Sequence, residues 1–401
     1  MEKSTHRLSI AHLSTYPPRE CGIALYAEDL VQSIGTDRFV HNILAVDDDK
    51  LHCKYAHPVS LVINSKNPSE YARAARLLNN SKSSVVSLQH EYGIFGGEWG
   101  RHVLEFTGSL EKPLVTTFHT VLGDIPQLAR KILIDLASKS RYVVVTIGKA
   151  AQLVIEKYNV PADKVRIIPH GAPVVLQCDR RLEKEKLGLT GRTIVSTIGF
   201  LSPGKGIDCA INAMKIMVEK HPSILYLVVG ETHPSLRQHQ NEKYRGELED
   251  LTEDLGLDEN VMFVDRFVSD EELSTFLSIT DVYLAPYRGR DQVSSGTLTG
   301  AMAHGKAIVS TPTLFAKETL SSGRGLLCEF DDARSISHQV DRILGNKTLR
   351  RSLETRARSY GARVEWRQTA KDYAEIFAGA AMSNRKEHEQ IVGSVEQWIQ
   401  C

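Results

Sequence analysis

The sequence lacks the features that would assign it to a disulfide-rich, zinc-binding or membrane-spanning class. Its 401 residues include six scattered cysteines, with no CxxC and no paired spacing. This usage argues against a disulfide framework and a zinc site, and is typical of a reducing cytosol. No run approaches the ~18 apolar residues that a membrane-spanning helix needs, and the N-terminal stretch has no apolar core of signal-peptide length. We therefore expect a soluble, cytoplasmic protein without a transmembrane segment.

The sequence also has no excess of charge of either sign. Lys plus Arg and Asp plus Glu both number 49. A chain without a net field gives no reason to expect nucleic acid or a membrane surface as a partner. Apolar residues at 42% and charged residues at 24% are ordinary for a globular protein. At roughly 150 residues per domain, the length predicts two or three domains.

Three common catalytic signatures are missing. No GxGxxG follows the first predicted strand, which weakens the hypothesis of a Rossmann dehydrogenase. No GxxxxGK[ST] occurs, so the chain has no Walker A loop. No GxSxG occurs either, which makes serine hydrolysis a poor interpretation.

Short β-branched runs alternate with amphipathic helical patterns along nearly the whole chain. This alternation is typical of parallel α/β sheets and predicts two Rossmann-like halves of similar size. We expect a first domain over residues 1–173 and a second over 174–365, separated near a charged segment. The apolar face that starts at Trp366 predicts a helix over 366–382, and 383–401 is predicted to be a loosely held polar tail.

Polar clusters follow many of the predicted strands. Ligands of open parallel sheets bind outside the carboxyl ends of the strands, so these clusters are the candidates for function. Two halves that face each other would bring them together across one cleft. The clusters are Cys21-Gly22, His90-Glu91, His119, His170-Gly171, Gly204-Lys205-Gly206, Glu231 and Ser294 to Thr297.

The stretch from Ala285 to Pro312 contains a strand, a small-residue loop and a helix start. Unpaired N–H groups and the dipole at a helix N-terminus favour an anion, although an ordinary turn with a Ser or Thr cap is the alternative. Lys205, between two glycines before a helix, can neutralise a phosphate or be a solvated lysine. Arg288 and Arg290 can serve the same anion or be surface charge.

The first half offers histidines and a glycine-rich segment. His119 ends a predicted strand, where it can hydrogen-bond a substrate hydroxyl or be a structural residue. His90 and Glu91 share this ambiguity. The adjoining glycine-rich segment over 93–100, with Gly96 and Gly97, is a candidate mobile loop on the acceptor side.

In order along the chain, these segments resemble the retaining GT-B glycosyltransferases of family 4, also called group 1 glycosyltransferases. In the second half the similar segments are GFLSPGKGID around Lys205, Gly230-Glu231, RFVSDEEL from Arg266, DVYLAPY and GTLTGAMAHGKAIVST. In the first half they are the glycine loop at Cys21-Gly22, TTFHTVL and IIPHGAP. The resemblance covers nearly the whole chain.

The resemblance implies two Rossmann-like domains facing across a cleft, with the last helix packed on the first domain. It implies catalytic roles for His119 near the transferred sugar and for Lys205 on the donor diphosphate. No metal and no other cofactor is expected, because the helix dipole and basic residues take the leaving-group charge. The implied donor-binding residues are Gly22, Gly204, Lys205, Glu231, Arg266, Phe267, Val268, Gln292, Ser294, Ser295, Gly296 and Thr297.

Two departures from the family pattern stand out. Phe200 occupies the position where relatives usually have an arginine, and Gln292 and Gly300 replace the usual Glu-x7-Glu pair. We expect a hexosyltransferase that uses a nucleotide sugar, with mannose from GDP-mannose favoured over glucose, and an unidentified acceptor. The departures keep open a non-catalytic nucleotide-sugar-binding or regulatory protein; a phosphorylase or epimerase is the remaining enzyme alternative.

Overall fold

The computed structural model describes residues 7–48 and 53–399, with side chains up to residue 382. The chain divides into two compact units: the residues up to Pro169 together with those from Trp366, and His170 to Glu365. The sequence placed this boundary after residue 173. In the structure Ala172 belongs to the second unit, because its N–H donates to the Val364 carbonyl at 2.7 Å.

The first unit is built on a seven-stranded parallel sheet with the strand order β3-β2-β1-β4-β5-β6-β7. Central strands such as β4 are buried along their whole length, as expected for a sheet covered on both faces. The elements are β1 (Leu8–Ser14), α1 (Gly22–Ile34), β2 (Phe39–Asp47), β3 (Val59–Asn64), α2 (Pro68–Asn79), β4 (Val85–His90), α3 (Val103–Ser109), β5 (Leu114–Phe118), α4 (Gln127–Lys139), β6 (Tyr142–Val145), α5 (Gly148–Glu156) and β7 (Val165–Ile167).

The second unit is built on a six-stranded parallel sheet with the order β10-β9-β8-β11-β12-β13. Its elements are α6 (Arg180–Lys186), β8 (Thr193–Ile198), α7 (Ile207–Met217), β9 (Ile224–Val229), α8 (Pro234–Gln240), α9 (Lys243–Asp254), β10 (Val261–Val264), α10 (Asp270–Ile279), β11 (Val282–Ala285), α11 (Gly296–Ala303), β12 (Ala307–Ser310), α12 (Leu314–Thr319), β13 (Leu326–Leu327), α13 (Ala333–Gly345) and α14 (Lys347–Gly361).

Helix α7 shows how the pattern in the sequence produces the core of the second unit. Its apolar residues recur at helical spacing, and Ile207, Ile211, Met214 and Met217 are fully buried against the sheet. Full burial of each such side chain contributes about 1.5–3 kcal/mol. This burial is what the helical spacing of the apolar residues predicts.

The last helix, α15, runs from Trp366 to Ile399 and belongs to the first unit. Trp366, Tyr373 and Phe377 are buried in that unit's core, as the apolar face predicted. The predicted end of the helix at residue 382 is wrong, since the helix continues to residue 399, whereas the loosely held tail over 383–401 stays a prediction. Extending an existing helix through good helix formers costs far less than nucleating one. Within the described part of the chain, no helix is long and apolar enough to cross a membrane.

Both sheets reverse their strand order at one point. The reversal lies between β1 and β4 in the first unit and between β8 and β11 in the second. At such a point, the loops that leave the carboxyl ends diverge and open a crevice for a ligand. The loops after β8 and β11 carry Lys205 and Ser295, and those after β1 and β4 carry Gly22 and Glu91.

Candidate active site

The turn after β8 holds Lys205 against the segment that follows β11. A short 3-10 turn spans Pro203–Lys205 and is followed by Gly206 in the left-handed region (φ 64°). A Cβ on Gly206 would lie only 2.1 Å from the carbonyl oxygen of Pro286. Glycine is therefore required here by both conformation and close approach. The sequence SPGKG reflects the packing of two loops as well as the placing of a lysine.

Arg288 also connects the turn after β8 with the segment that follows β11. Its backbone N–H donates to Gly204 O at 2.9 Å and its guanidinium donates to Pro203 O at 3.1 Å. The guanidinium also pairs with Asp208 at 2.7 Å and Asp331 at 2.6 Å. With two carboxylates as partners, Arg288 is a structural clamp, a role that differs from both the anion ligand and the surface charge that the sequence suggested.

Lys205, Tyr287 and Thr297 converge next to Gly199. The Lys205 ammonium lies 4.5 Å from the centroid of the Tyr287 ring. A Cβ placed on Gly199 would be 3.2 Å from Thr297 Cγ2 and 3.6 Å from Lys205 Nζ, which shows how close these groups are. The Tyr287 hydroxyl lies 3.0 Å from Thr297 Oγ1. The loops after β8 and β11 thus bring a cation to the start of α11.

The start of α11 is a capped helix N-terminus. Ser295 is the cap residue, and its Oγ accepts the N–H of Leu298 at 3.3 Å. The His170 ring packs on the first helical residue, since a Cβ on Gly296 would lie 3.1 Å from its Nε2. Burial lowers the pKa of His170 to about 4, against the opposing effect of its hydrogen bond to Gly171 O. At neutral pH the ring is therefore uncharged, and the helix dipole and Lys205 dominate the field.

Gln292 and Gly300, at the positions where the resemblance implies glutamates, have different surroundings. The Gln292 amide donates to Ser294 O at 2.9 Å, and the residue is half-buried. Gly300 lies inside α11 against Pro173, whose Cγ would be 3.7 Å from an added Cβ. A glutamate side chain at 300 would project toward Pro173 and Leu277, so this stretch of helix is packed for a small residue.

An aromatic patch adjoins the lysine turn, and we define it as Phe200, His233 and Phe267. The Phe200 ring lies 5.5 Å from that of His233 and 5.9 Å from that of Phe267. The side chain of Phe267 is 41% exposed. Phe200 and Phe267 therefore present a flat apolar surface, of the kind on which a nucleobase can stack.

Two charged residues predicted to bind the donor are engaged within the protein. The Glu231 carboxylate accepts from Arg237 at 2.9 Å, and the exposed Arg266 guanidinium pairs with Glu272. Glu272 is also the capping-box residue of α10. The structure thus places Glu231, Arg266 and Val268 near the strand ends while giving both charges a local structural partner.

In the first unit, Gly22 begins α1 after the loop that follows β1. A Cβ added to Gly22 would meet no described atom within 4 Å. Unlike Gly206, this glycine is not required by the packing of the described protein atoms. The open space leaves room for a ligand to approach the backbone closely.

His119 is held by a residue that the sequence analysis missed. Its Nε2–H donates to Gln89 Oε1 at 2.9 Å, and the Gln89 amide donates to Ser87 Oγ at 3.1 Å. In this orientation of the amide, Gln89 Oε1 faces the imidazole, and the bond is made by the tautomer of His119 that carries its proton on the ε nitrogen. The glutamine stands directly before His90-Glu91 in the sequence, and the period of two along β4 was the available signal.

Aromatic residues complete the setting of His119. The Tyr26 ring packs edge-on against the imidazole, with centroids 4.6 Å apart. The Tyr26 hydroxyl lies 2.9 Å from that of Tyr373 on α15, which lies 2.9 Å from Thr117 Oγ1. The last helix therefore supports the His119 site through a chain of hydroxyl groups.

The candidates on the acceptor side do not all reach a surface. His90 is fully buried among the rings of Tyr92, Phe95 and Phe118, and burial lowers its pKa to about 3. Its proposed contact with an acceptor is therefore wrong. Glu91 is mostly enclosed, and burial raises its pKa although its carboxylate accepts a hydrogen bond from Thr120 at 2.6 Å.

The glycines of the segment predicted to be a mobile loop make close contacts with neighbouring residues. A Cβ on Gly96 would lie 1.9 Å from Ser65 O, and one on Gly97 would lie 2.8 Å from the His102 ring. Tyr71 donates its hydroxyl to Phe95 O at 2.8 Å. The glycines serve close packing against neighbouring loops, so Gly96 and Gly97 are structural.

Two family models match the chain. The model described as "Glycosyl transferases group 1" matches residues 179–360, and the model described as "Glycosyltransferase Family 4" matches residues 22–175. The two matches follow the division into two units closely, and together they span most of the sequence.

Curated relatives and solved structures agree with these matches. D-inositol 3-phosphate glycosyltransferase of Acidothermus cellulolyticus is 26% identical over 329 residues, or 76% of this chain and 70% of that protein. Phosphatidyl-myo-inositol mannosyltransferase of Mycolicibacterium smegmatis is 26% identical over 273 residues, or 67% and 65%. Anabaena HepE, solved with UDP and glucose, has a TM-score of 0.75 at 15% identity, covering 93% of this chain and 100% of that chain.

Proposed function

Because the chain belongs to the group 1 glycosyltransferases of the GT-B type, we propose that it transfers a hexose with retention from a nucleotide diphosphate sugar to an acceptor hydroxyl. One observation carries the proposal. Lys205, Tyr287 and Thr297 meet at the start of α11, where the strand order of the second sheet reverses. A cation beside a helix N-terminus suits a diphosphate.

The proposed reaction needs stabilisation of a leaving anion more than it needs a strong base. The bond between hexose C1 and the diphosphate oxygen breaks, and its electron pair stays on that oxygen. The acceptor oxygen bonds to C1 on the same face, and its proton passes to the departing diphosphate. We assign the developing charge to Lys205 and the N-terminus of α11. No metal is required in this scheme, so turnover is expected to persist in EDTA.

We assign His119 a hydrogen-bonding role toward the transferred sugar. Its partner Gln89 is a neutral amide at 2.9 Å. An amide orients the ring but does not stabilise the imidazolium as a carboxylate would. The arrangement therefore supports a positioning and hydrogen-bonding role in preference to general-base catalysis.

For the donor, we propose GDP-mannose first and UDP-glucose second. The M. smegmatis relative is named as a mannosyltransferase, and the HepE structure holds UDP and glucose. The aromatic patch, together with the segment from Arg266 to Val268, offers the base a stacking surface. The acceptor stays unidentified, and the cytoplasmic location is a prediction that cell fractionation tests.

A thermal-shift screen tests the donor. Binding stabilises a protein by mass action, by about 2.7 kcal/mol at a hundredfold excess over Kd. We expect GDP to raise Tm more than UDP, and Lys205→Ala to abolish the shift, whereas Lys317→Ala, on an exposed residue of α12, keeps it. Turnover of GDP-mannose with an acceptor panel then tests the reaction. A screen in which no nucleoside diphosphate changes Tm contradicts the proposal.

A second candidate is a nucleotide-sugar-binding protein without turnover. The half-buried Gln292 and the packed Gly300, both in place of glutamates, favour it. Calorimetric binding of a nucleotide sugar with no product after long incubation supports this alternative. Turnover that disappears in both Lys205→Ala and His119→Ala excludes it.

A further inference from the structure

We propose that Tyr287 is the residue that positions Lys205, with its ring holding the ammonium and its hydroxyl joining this pair to the first turn of α11. The proposal rests on the proposed role of Lys205 as a diphosphate ligand. The family resemblance gave Tyr287 no role. The residue follows β11 directly and precedes the clamp residue Arg288.

The ring holds the ammonium without neutralising it. Lys205 Nζ lies 4.5 Å from the ring centroid, and the Tyr287 residue is only 2% exposed. A cation over a desolvated aromatic face is attracted more strongly than one over an exposed ring. A carboxylate in this place would also hold the lysine, but it would cancel the charge that a diphosphate needs.

Two arginines that follow Tyr287 in the sequence, Arg288 and Arg290, have partners different from that of Lys205. Arg288 is paired with Asp208 and Asp331, and the Arg290 guanidinium lies 4.2 Å from the Phe330 ring centroid. Lys205 is therefore the cation that these loops direct toward α11, and its placement matters correspondingly more.

The hydroxyl of Tyr287 reaches the helix start. It lies 3.0 Å from Thr297 Oγ1 and 3.5 Å from Ser295 Oγ, the cap atom of α11. Burial raises the pKa of this phenol, but the Lys205 ammonium and hydrogen bonds with the hydroxyl groups of Ser295, Thr297 and Tyr283 outweigh burial, so its pKa lies below the usual value. The same side chain thus contacts both groups that are proposed to bind the diphosphate.

The backbone of Tyr287 is fixed on both sides. Thr311 donates its hydroxyl to Tyr287 O at 2.5 Å, and the N–H of the next residue, Arg288, donates to Gly204 O at 2.9 Å. The preceding residue, Pro286, contacts Gly206. A ring held this firmly can serve as a platform, because its position does not depend on the ligand.

Two substitutions separate the ring from the hydroxyl. Tyr287→Phe removes the hydroxyl and keeps the aromatic face, whereas Tyr287→Leu removes both and keeps an apolar side chain. By calorimetry, we expect Tyr287→Phe to bind GDP or UDP within about threefold of the wild type and Tyr287→Leu to bind about tenfold more weakly. In turnover, Tyr287→Leu is expected to raise the donor KM and lower kcat, since the lysine also takes the leaving-group charge.

The pairing with Lys205 is tested by a double-mutant cycle and by a ligand-free measurement. In a Lys205→Met background, Tyr287→Leu is expected to weaken binding by no more than about twofold, because the contact is already absent. In ring-labelled protein, the NMR titration of the Tyr287 phenol, assigned by its loss in Tyr287→Phe, is expected to move to higher pH in Lys205→Met.

The outcomes distinguish this proposal from the proposed function. Equal affinity of Tyr287→Leu and Tyr287→Phe, in variants with wild-type circular dichroism, overturns the positioning role. An unchanged phenol titration in Lys205→Met also overturns it. If the titration moves but no nucleoside diphosphate binds the wild type, the contact between Tyr287 and Lys205 is supported and the proposed function fails.

Discussion

The polar residues near the point of strand reversal are arranged differently in the two units. In the second unit, Lys205, Ser295 and Thr297 come together at one helix start, as their positions after β8 and β11 predicted. In the first unit, the candidates separate. Gln89 reaches His119 at 2.9 Å, whereas its neighbour His90 is enclosed by aromatic rings.

The difference follows from side-chain direction within a strand. Successive residues of a strand point to opposite faces of the sheet. Gln89 and His90 therefore face different sides at the end of β4, and one of them joins a site while the other joins the core. Residues on loops after a strand, such as Lys205, escape this alternation and can turn toward the ligand crevice. Position after a strand is thus a better guide to function than position at its end.

Among the substitutions that test this comparison, removal of the Lys205 side chain is expected to have the largest effect on activity. Lys205→Ala deletes the cation at the start of α11, and loss of one such group costs about 10²–10³ in rate. We expect a fall of that order in kcat/KM with little change in stability, because the side chain is only half-buried. Steady-state kinetics measure it, with Lys317→Ala as the matched control. Equal losses in the two variants would contradict the assignment.

A pair of glycine substitutions compares the two units directly. Gly206→Ala forces an alanine into φ 64° with its Cβ 2.1 Å from Pro286 O, and we expect it to cost about 2–4 kcal/mol of stability. Gly22→Ala has open space and is expected to change stability by under about 0.5 kcal/mol while weakening donor binding. Urea unfolding followed by circular dichroism measures both. If Gly206→Ala and Gly22→Ala destabilise the protein to a similar extent, the proposed difference between the two glycines is wrong.

The buried histidine gives a prediction for pH. The folded-state pKa of His90 is about 3, against about 6.5 in an unfolded chain. The unfolded state therefore binds the proton first, and stability falls as pH drops from about 6.5 toward 3. His90 alone is expected to cost about 1.4 kcal/mol per pH unit in this window. His90→Phe removes that cost. The free energy of unfolding of the variant, relative to that of the wild type, is therefore expected to increase as pH is lowered from 6.5 to 5.

This difference can be measured in the first unit separately. All three tryptophans belong to that unit, so tryptophan fluorescence in urea reports its unfolding. The other histidines are common to both proteins and cancel in the difference. If the free energies of unfolding of the wild type and of His90→Phe fall by the same amount as pH is lowered, His90 is not a buried neutral residue. Loss of activity at unchanged stability would restore it as a functional candidate.

The smallest effect is expected at Arg266. Its ion pair with Glu272 is half exposed, and exposed pairs contribute little. We expect Arg266→Ala to change the free energy of unfolding by under about 0.5 kcal/mol. If the segment from Arg266 to Val268 lines the base pocket, the donor KM rises while kcat is kept. An unchanged KM would remove Arg266 from the donor site.

Much of the fold was predictable because the hydrophobic periods are clear. The alternation of strands and helices and the apolar faces of α7 and α15 were all visible in the sequence. Helices α3, α6, α8 and α12 were missed, since each has only six or seven residues and too little periodicity to separate from a loop. The end of α15 was misjudged because composition does not show where an established helix stops.

The site was predictable to the extent that its residues follow strands. Lys205 and Ser295 to Thr297 were found by this rule. Gln89 and Tyr287 were not, because their roles come from partners distant in sequence. The glycines were ambiguous for the same reason: Gly22 has open space, whereas Gly96 and Gly206 fit against carbonyl oxygens that only the tertiary structure brings near.

Calorimetric titration of GDP and UDP onto the wild type and Lys205→Ala tests the central claim most directly. The account predicts that the wild type binds at least one of these nucleotides and that Lys205→Ala binds it at least tenfold more weakly, about 1.4 kcal/mol. Equal binding by both proteins, or no binding of either nucleotide by the wild type, would contradict the assignment of the donor site to the start of α11.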